Sequence, residues 1–160
     1  MSLVTMQFFD GAVAKFFEAS DGSFWEDTVI DANGRYNMAL SNDAPSLSDS
    51  SWTQIPEIAR TNGYFNGASE HLGNRYIFGH DLIQVGAVST MTGVAFTQTA
   101  AGGDIGPFQY IILYDRPSRD LICFWDHGSP VTIPNGALHS FFFNGSPNVG
   151  TIFTLRTLEV

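Results

Sequence analysis

Histidines are the residues of this sequence best able to hold a metal ion, and their spacing argues against a local site. Successive histidines are 9, 47 and 12 residues apart, whereas two metal ligands on one local element are usually about three to five residues apart. A metal site would therefore have to gather imidazoles from several strands. We expect solvated or core-satisfied histidines instead, with no metal and no cofactor; the residues concerned are His71, His80, His127 and His139.

The single cysteine, Cys123, has a sequence context that suits a core residue better than a nucleophile. It lies within Leu-Ile-Cys-Phe-Trp, and apolar surroundings raise the pKa of a thiol and keep it protonated. His127, four residues later, is the nearest candidate base in sequence. One cysteine also excludes an internal disulfide and a site built from several thiolates. We therefore expect Cys123 to be buried and inert.

Paired carboxylates cleave glycosidic bonds, and four aspartates lie near one predicted hairpin: Asp104, Asp115, Asp120 and Asp126. Asp115 and Asp120 bracket a turn, where aspartate side chains commonly hydrogen-bond to nearby backbone. The run Gly102-Gly103-Asp104-Ile105-Gly106 is not followed by the Lys-Ser/Thr and helix of a phosphate-binding loop. The sequence thus predicts no catalytic, cofactor-binding or metal-binding residues, and a protein that is not an enzyme.

Aromatic side chains could form a flat platform for sugars or a protein interface. The candidates are Trp25, Trp52, Trp125, Tyr64 and Tyr76. Filling the core is the commoner fate of such residues. A carbohydrate-binding module or a tail-associated adhesin or adaptor therefore stays open as the alternative function, because it requires several of these rings to be exposed in a row.

The charge balance and the lengths of the apolar runs argue against two classes of partner, nucleic acids and membranes. Seven basic residues stand against sixteen acidic ones, for a net charge of -9, and the arginines are scattered, so we expect no nucleic-acid binding. No apolar run approaches the roughly 20 residues that cross a bilayer, and the first residues lack the basic start of a secretory signal. We therefore expect no membrane partner, and an N-terminus that belongs to the fold.

Composition and turn signals predict a mainly β chain. Only 14% of residues are charged, while the sequence holds 16 glycines and 14 phenylalanines, and strands tolerate a weakly charged wet face better than long helices do. The length of 160 residues fits a single domain over residues 1–160. We predict an antiparallel β-sandwich or jelly-roll-like barrel with one short N-terminal helix.

The predicted elements follow from apolar spacing. Helical spacing marks Met6 to Ala19, although a strand with a bulge at Gly11 is the alternative, and Trp52 to Ala59 is limited to a turn or two by Pro56. The hairpin formed by Tyr110–Asp115 and Leu121–Asp126 is the strongest of all, since both strands are apolar on both faces. The remaining predicted strands are Arg35–Ser41, Arg75–Val85, Met91–Thr99, Ala137–Phe143 and Thr151–Leu158.

The order of motifs resembles a family of small virion proteins of tailed bacteriophages, known as structural, head or decoration proteins. The resemblance spans most of residues 10–158 and is carried by Asn62-Gly63-Tyr64, by the run from Gly102 to Asp115 (GGDIGPFQYIILYD), by Leu121-Ile122 and by Trp125-Asp126-His127-Gly128. It implies a non-enzymatic capsid decoration, or cement, protein located in the virion after assembly in the host cytoplasm. The implied partners are the major capsid protein or other virion proteins, with a homo-oligomer, trimer or dimer. The family offers no catalytic residues to transfer.

Overall fold

The fold is mainly β, and every strand pairing within it is antiparallel. The computed structural model describes residues 5–12, 36–64, 81–85, 88–94, 96–115, 118–141 and 149–156. Within these ranges the strands are β1 (Thr5–Phe8), β2 (Tyr36–Ser41), β3 (Asp81–Val85), β4 (Val88–Val94), β5 (Phe96–Thr99), β6 (Ile105–Asp115), β7 (Leu121–Ile133), β8 (Leu138–Phe141) and β9 (Val149–Arg156).

The strands form three sheets. A central sheet has four strands in the order β1-β7-β6-β2, a second sheet has the order β3-β4-β9, and β5 pairs with β8 as a two-stranded ribbon. This arrangement confirms the predicted class, a mainly β, antiparallel, sandwich-like single domain. Within the described residues, no helix is long and apolar enough to cross a membrane.

The central sheet is buried on both faces, which explains the doubly apolar strands in the sequence. Its inner face carries Met38, Leu113 and Cys123 and packs with Phe141 of β8 and Ile152 of β9 in one core cluster. The opposite, outer face carries a second cluster of alternate residues. The members of that cluster are Phe9, Ala39, Trp52, Ile55, Ile112, Tyr114, Leu121 and Phe124.

The loop that follows β2 after Ser41 covers the outer face. A single turn of 3-10 helix, Trp52–Gln54, places the Trp52 ring on the Tyr114 ring, with centroids 4.9 Å apart and planes inclined by 8°. Gln54 accepts hydrogen bonds from the backbone N–H groups of Ser50 and Ser51, each at 2.8 Å, which fixes the start of this turn. Pro56 then prevents the turn from growing into a longer helix.

The predicted hairpin is confirmed and is longer than predicted. β6 and β7 pair from Ile105 opposite Ile133 to Tyr114 opposite Leu121, with irregular register around Phe108. β1 and β2 flank the hairpin only at Cys123–Asp126 of β7 and Tyr110–Asp115 of β6. The rest of the hairpin contains Pro107 and Pro130, both exposed. A proline lacks the N–H group that would recruit a further strand, so these residues protect a strand edge against pairing with other chains.

Two sequence predictions need correction. Residues 6–8 of the predicted helix from Met6 to Ala19 belong to strand β1, because Met6 and Phe8 pair with Trp125 and Cys123 of β7. Residues 10–12 are helical, and the remainder of that prediction lies outside the described residues. The predicted strand Met91–Thr99 is divided between β4 and β5, which belong to different sheets.

The other predicted strands agree within a few residues. Arg35–Ser41, Ala137–Phe143 and Thr151–Leu158 correspond to β2, β8 and β9, and the described part of Arg75–Val85 is β3. The predicted helix from Trp52 to Ala59 is limited to the single turn Trp52–Gln54.

Candidate functional site

The fold brings together two histidines that the sequence placed 12 residues apart. The rings of His139 and His127 lie 4.7 and 6.2 Å from the ring of Phe141, and His127 also contacts Phe108 at 6.1 Å. Phe108 and Phe141 are completely buried. The imidazoles therefore border the inner core where β8 meets the β6–β7 hairpin. His71 and His80 lie outside the described residues.

The electrostatics of this pair favour neutral imidazoles. Burial lowers the pKa of both rings below the ordinary histidine value; the Asp126 carboxylate opposes this shift at His127, and the charge of His127 reinforces it at His139. Both Nε2 atoms are buried, and neither has a hydrogen-bond partner among the described residues. Nowhere in the described ranges do three or more His, Cys, Asp or Glu side chains form a group able to hold a metal ion.

Cys123 occupies the position predicted for it. Its side chain is fully buried between Leu113 of β6 and Phe8 of β1 in the strand register, and burial raises the pKa of the thiol well above its ordinary value. A neutral, enclosed thiol is neither a nucleophile nor a metal ligand. The expectation that Cys123 is a core residue is confirmed.

The four aspartates serve turns and local hydrogen bonds. Asp115 is buried, and its Oδ2 accepts hydrogen bonds from the hydroxyl and backbone N–H of Ser118 at 2.6 and 3.3 Å. Asp126 Oδ1 accepts hydrogen bonds from Gln109 Nε2 at 2.9 Å and from the Gly128 N–H at 2.7 Å. Asp120 closes the turn through its carbonyl, which accepts the Asp115 N–H at 2.9 Å. The turn prediction for Asp115 and Asp120 is therefore confirmed.

Three of the five candidate platform aromatics belong to the core. Trp52, Trp125 and Tyr64 are 6%, 5% and 0% exposed, and Trp25 and Tyr76 lie outside the described residues. Within the described residues, the exposed large apolar side chains are Leu47 and Leu138, the latter 65% exposed. No row of exposed rings is present in the part of the chain that the structure describes.

Three separate glycine turns of the sequence converge on one surface, which we call the turn junction (residues 62–64, 101–104 and 134–137). Asn62 Nδ2 donates to the Asp104 carbonyl at 2.7 Å, and the Ala101 N–H donates to the Asn62 carbonyl at 2.8 Å. The Asn135 N–H donates to Asp104 Oδ1 at 2.8 Å, and Asn135 Oδ1 accepts the Gly102 N–H at 3.1 Å. These bonds leave the turn junction tightly fixed.

The turn junction was missed at the level of sequence, where each Asn-Gly or Gly-Gly pair indicates only an isolated turn. The register explains the meeting: Ile105 pairs with Ile133, so the residues before β6 and after β7 must be neighbours. Asn62 joins them in a left-handed conformation with φ 58°. Leu138 follows the junction directly and pairs with Thr99, so its exposed side chain stands beside this rigid surface.

The turn junction combines a hydrogen-bonded backbone with little charge. Asp104 is the only charged residue of the turn junction, and its carboxylate is engaged by Asn135. Leu138 adds exposed apolar area beside these hydrogen-bonded turns. No family model, curated protein or solved structure matches the chain. The virion family therefore stays a prediction from the sequence motifs.

Proposed function

We propose that this protein is a non-enzymatic structural component of a tailed-bacteriophage particle, a capsid decoration protein that binds the major capsid shell and stabilises it. The observation that carries the proposal is the turn junction with Leu138 beside it, a fixed surface with a single carboxylate and one exposed apolar side chain. The motifs behind the resemblance contribute to it directly: Asn62-Gly63-Tyr64 and Gly102-Gly103-Asp104 supply two of its three turns.

A surface of this kind suits a cement protein because attachment to a shell requires a partner that does not deform. A preorganised surface loses little conformational entropy when it binds, so a modest contact is enough for attachment. Decoration proteins act in many copies, and many weak, identical contacts add up when the copies are linked in an oligomer. We therefore propose a trimer or dimer that presents several turn junctions to the shell, with the virion as its location.

The alternative, a carbohydrate-binding module or tail-associated adhesin, has less support from the described residues. Trp52, Trp125 and Tyr64 are buried, so a sugar platform would have to be built from other rings. No specific observation favours that function over shell binding.

The proposal is tested by binding the purified protein to shells prepared without it. Leu138→Ser removes the apolar side chain beside the turn junction and should weaken co-sedimentation with the shells by about tenfold, since it removes about 1.5 kcal/mol or more of apolar contact. Leu47→Ser is the matched control. Leu47 is also exposed, at 43%, but lies on the loop over the outer face, so this variant should bind as the wild type does.

Copy number in purified particles gives an independent test. Quantitative mass spectrometry should find hundreds of copies for a shell protein and a handful for a tail protein, while absence from the particle would overturn the proposal. Equal loss of shell binding in Leu138→Ser and Leu47→Ser, or no loss in either, would remove the turn junction as the contact surface.

A further inference from the structure

The two described histidines occupy a position between layers of the sandwich that no role in shell binding explains. His139 lies on β8, which pairs only with β5 among the described strands, and His127 lies on β7 in the central sheet. Both rings contact Phe141, the last residue of β8. The pair therefore joins the two-stranded ribbon to the central sheet through aromatic packing.

This packing tolerates neutral imidazoles and opposes charged ones. A neutral imidazole has one N–H donor, whereas a protonated imidazole has two and carries a full charge. The Nε2 atoms of His127 and His139 are buried with no hydrogen-bond partner among the described residues. Protonation would place an N–H donor with positive charge at each of these atoms, which have no hydrogen-bond partner among the described residues, and burying such a group is costly.

The charged and polar neighbours do not compensate for two added charges. Asp126, adjacent to His127 on β7, is the acidic group that favours its protonation, but its Oδ1 already accepts bonds from Gln109 and Gly128. On β5, the residue opposite His139 is Gln98, a neutral amide that is fully buried. From β6 the neighbour is the uncharged ring of Phe108. The imidazoles also repel each other when both are charged.

We propose that His127 and His139 form an acid-sensitive latch that holds the β5–β8 ribbon against the central sheet while both rings are neutral and releases it when they are protonated. The inference does not depend on shell binding. It predicts that acid pH opens one layer of the sandwich. The two side chains responsible for this opening are not part of the turn junction.

The direction of the pH dependence follows from proton linkage. In the closed state burial holds the pKa of each imidazole below its ordinary value near 6.5, so the open state binds more protons once the pH falls below that value. The stability of the closed state is therefore complete above about pH 6.5 and is lost progressively as the pH falls below it. Between pH 7.5 and 5.5 each histidine can raise the opening equilibrium by at most about tenfold, and the two together by about a hundredfold. Because the rings are only half-buried, we expect a rise of about threefold to thirtyfold.

The test combines an NMR titration with hydrogen exchange on the intact protein. The imidazole signals of His127 and His139, assigned by single replacement, should titrate below the ordinary histidine range. After correction for the intrinsic exchange rate, the backbone amides of β8 should lose protection by at least threefold between pH 7.5 and 5.5. The central amides of Ile111 to Leu113 should lose less. Imidazoles that titrate at or above 6.5, or β8 amides whose protection is independent of pH, would overturn the latch.

Replacement of both rings by neutral side chains provides the matched comparison. In His127→Gln/His139→Gln the change in β8 protection should fall to less than about twofold, whereas His71→Gln/His80→Gln, which removes the same number of histidines, should keep the wild-type response. If the double variant does not fold, the single variants His127→Gln and His139→Gln should each lower the response, and an unchanged response in both would overturn the proposal.

Discussion

Replacement of Tyr64 by phenylalanine tests how the edge of the central sheet is protected. Tyr64 is completely buried, and its hydroxyl accepts the Leu40 N–H at 2.9 Å while it donates to Glu57 Oε1 at 2.6 Å. Leu40 lies on β2, the edge strand of the sheet, and its carbonyl accepts the Ile58 N–H at 3.0 Å. The segment between residues 56 and 64 therefore closes an edge that would otherwise expose unpaired backbone groups.

The magnitude follows from what Tyr64→Phe leaves behind. It removes a hydrogen bond to a carboxylate, worth about 1.5–3 kcal/mol, and leaves the buried Leu40 N–H without this acceptor, at a cost of about 1–3 kcal/mol. The Glu57 carboxylate keeps its ion pair with Arg60 at 2.7 Å, which moderates the loss. We expect the free energy of unfolding to fall by about 2–4 kcal/mol.

Urea unfolding at neutral pH, followed by tryptophan fluorescence, measures this change. Tyr110→Phe is the matched control, because among the described residues the Tyr110 hydroxyl takes part only in a long hydrogen bond, 3.3 Å from Gln109 Nε2, and its side chain is partly exposed. The control should lose no more than about 1 kcal/mol. A loss below about 0.5 kcal/mol for Tyr64→Phe, or equal losses in the two variants, would refute the assignment of Tyr64 as the group that closes this edge.

Two further predictions concern the turn junction and the core. Gly63→Ala should lower the free energy of unfolding by about 3 kcal/mol or more in thermal or urea unfolding, because Gly63 has φ 90° and an added Cβ would collide with the Thr99 carbonyl oxygen. Gly136→Ala is the control: Gly136 has φ 83° with no atom within 4 Å of the added Cβ, so the loss should be only about 1–2 kcal/mol. Equal losses in the two variants would contradict the close packing at Gly63. Native Cys123 should react with iodoacetamide at least about a hundredfold more slowly than in urea, since it is fully buried with a raised thiol pKa, and rapid reaction in the native state would contradict its burial.

Strands that carry strong local signals were predictable from the sequence. In the β6–β7 hairpin both strands are apolar on both faces and flank a polar turn, so local pattern and tertiary structure agree. β1 was not predictable in this way. The helical spacing of Phe9, Val13, Phe16 and Phe17 extended the predicted helix over Met6 and Phe8. These two residues instead pair with Trp125 and Cys123 and pack against the inner core, a long-range contact that local pattern does not show. The division of Met91–Thr99 between two sheets likewise could not be predicted from the local sequence pattern.

The candidate surfaces were less predictable than the strands because they depend on register. Asn62, Gly102 and Asn135 each indicate a turn, but only the pairing of Ile105 with Ile133 brings two of those turns together. The burial of Cys123 was predictable, since two apolar residues on each side of it in the sequence indicate an apolar environment for the thiol.

The meeting of His127 and His139 was not predictable from local pattern. The turn after β7 is closed by the Ala137 N–H, which donates to the Pro134 carbonyl at 2.9 Å, so His139 is the second residue of β8 while His127 lies six residues before the end of β7. β8 pairs with β5 and not with β7, so the two histidines meet through side chains between layers and not through backbone hydrogen bonds. Because burying an uncompensated charge is costly, the proposed latch predicts that protonation weakens this side-chain contact while the hydrogen-bonded β6–β7 hairpin stays intact.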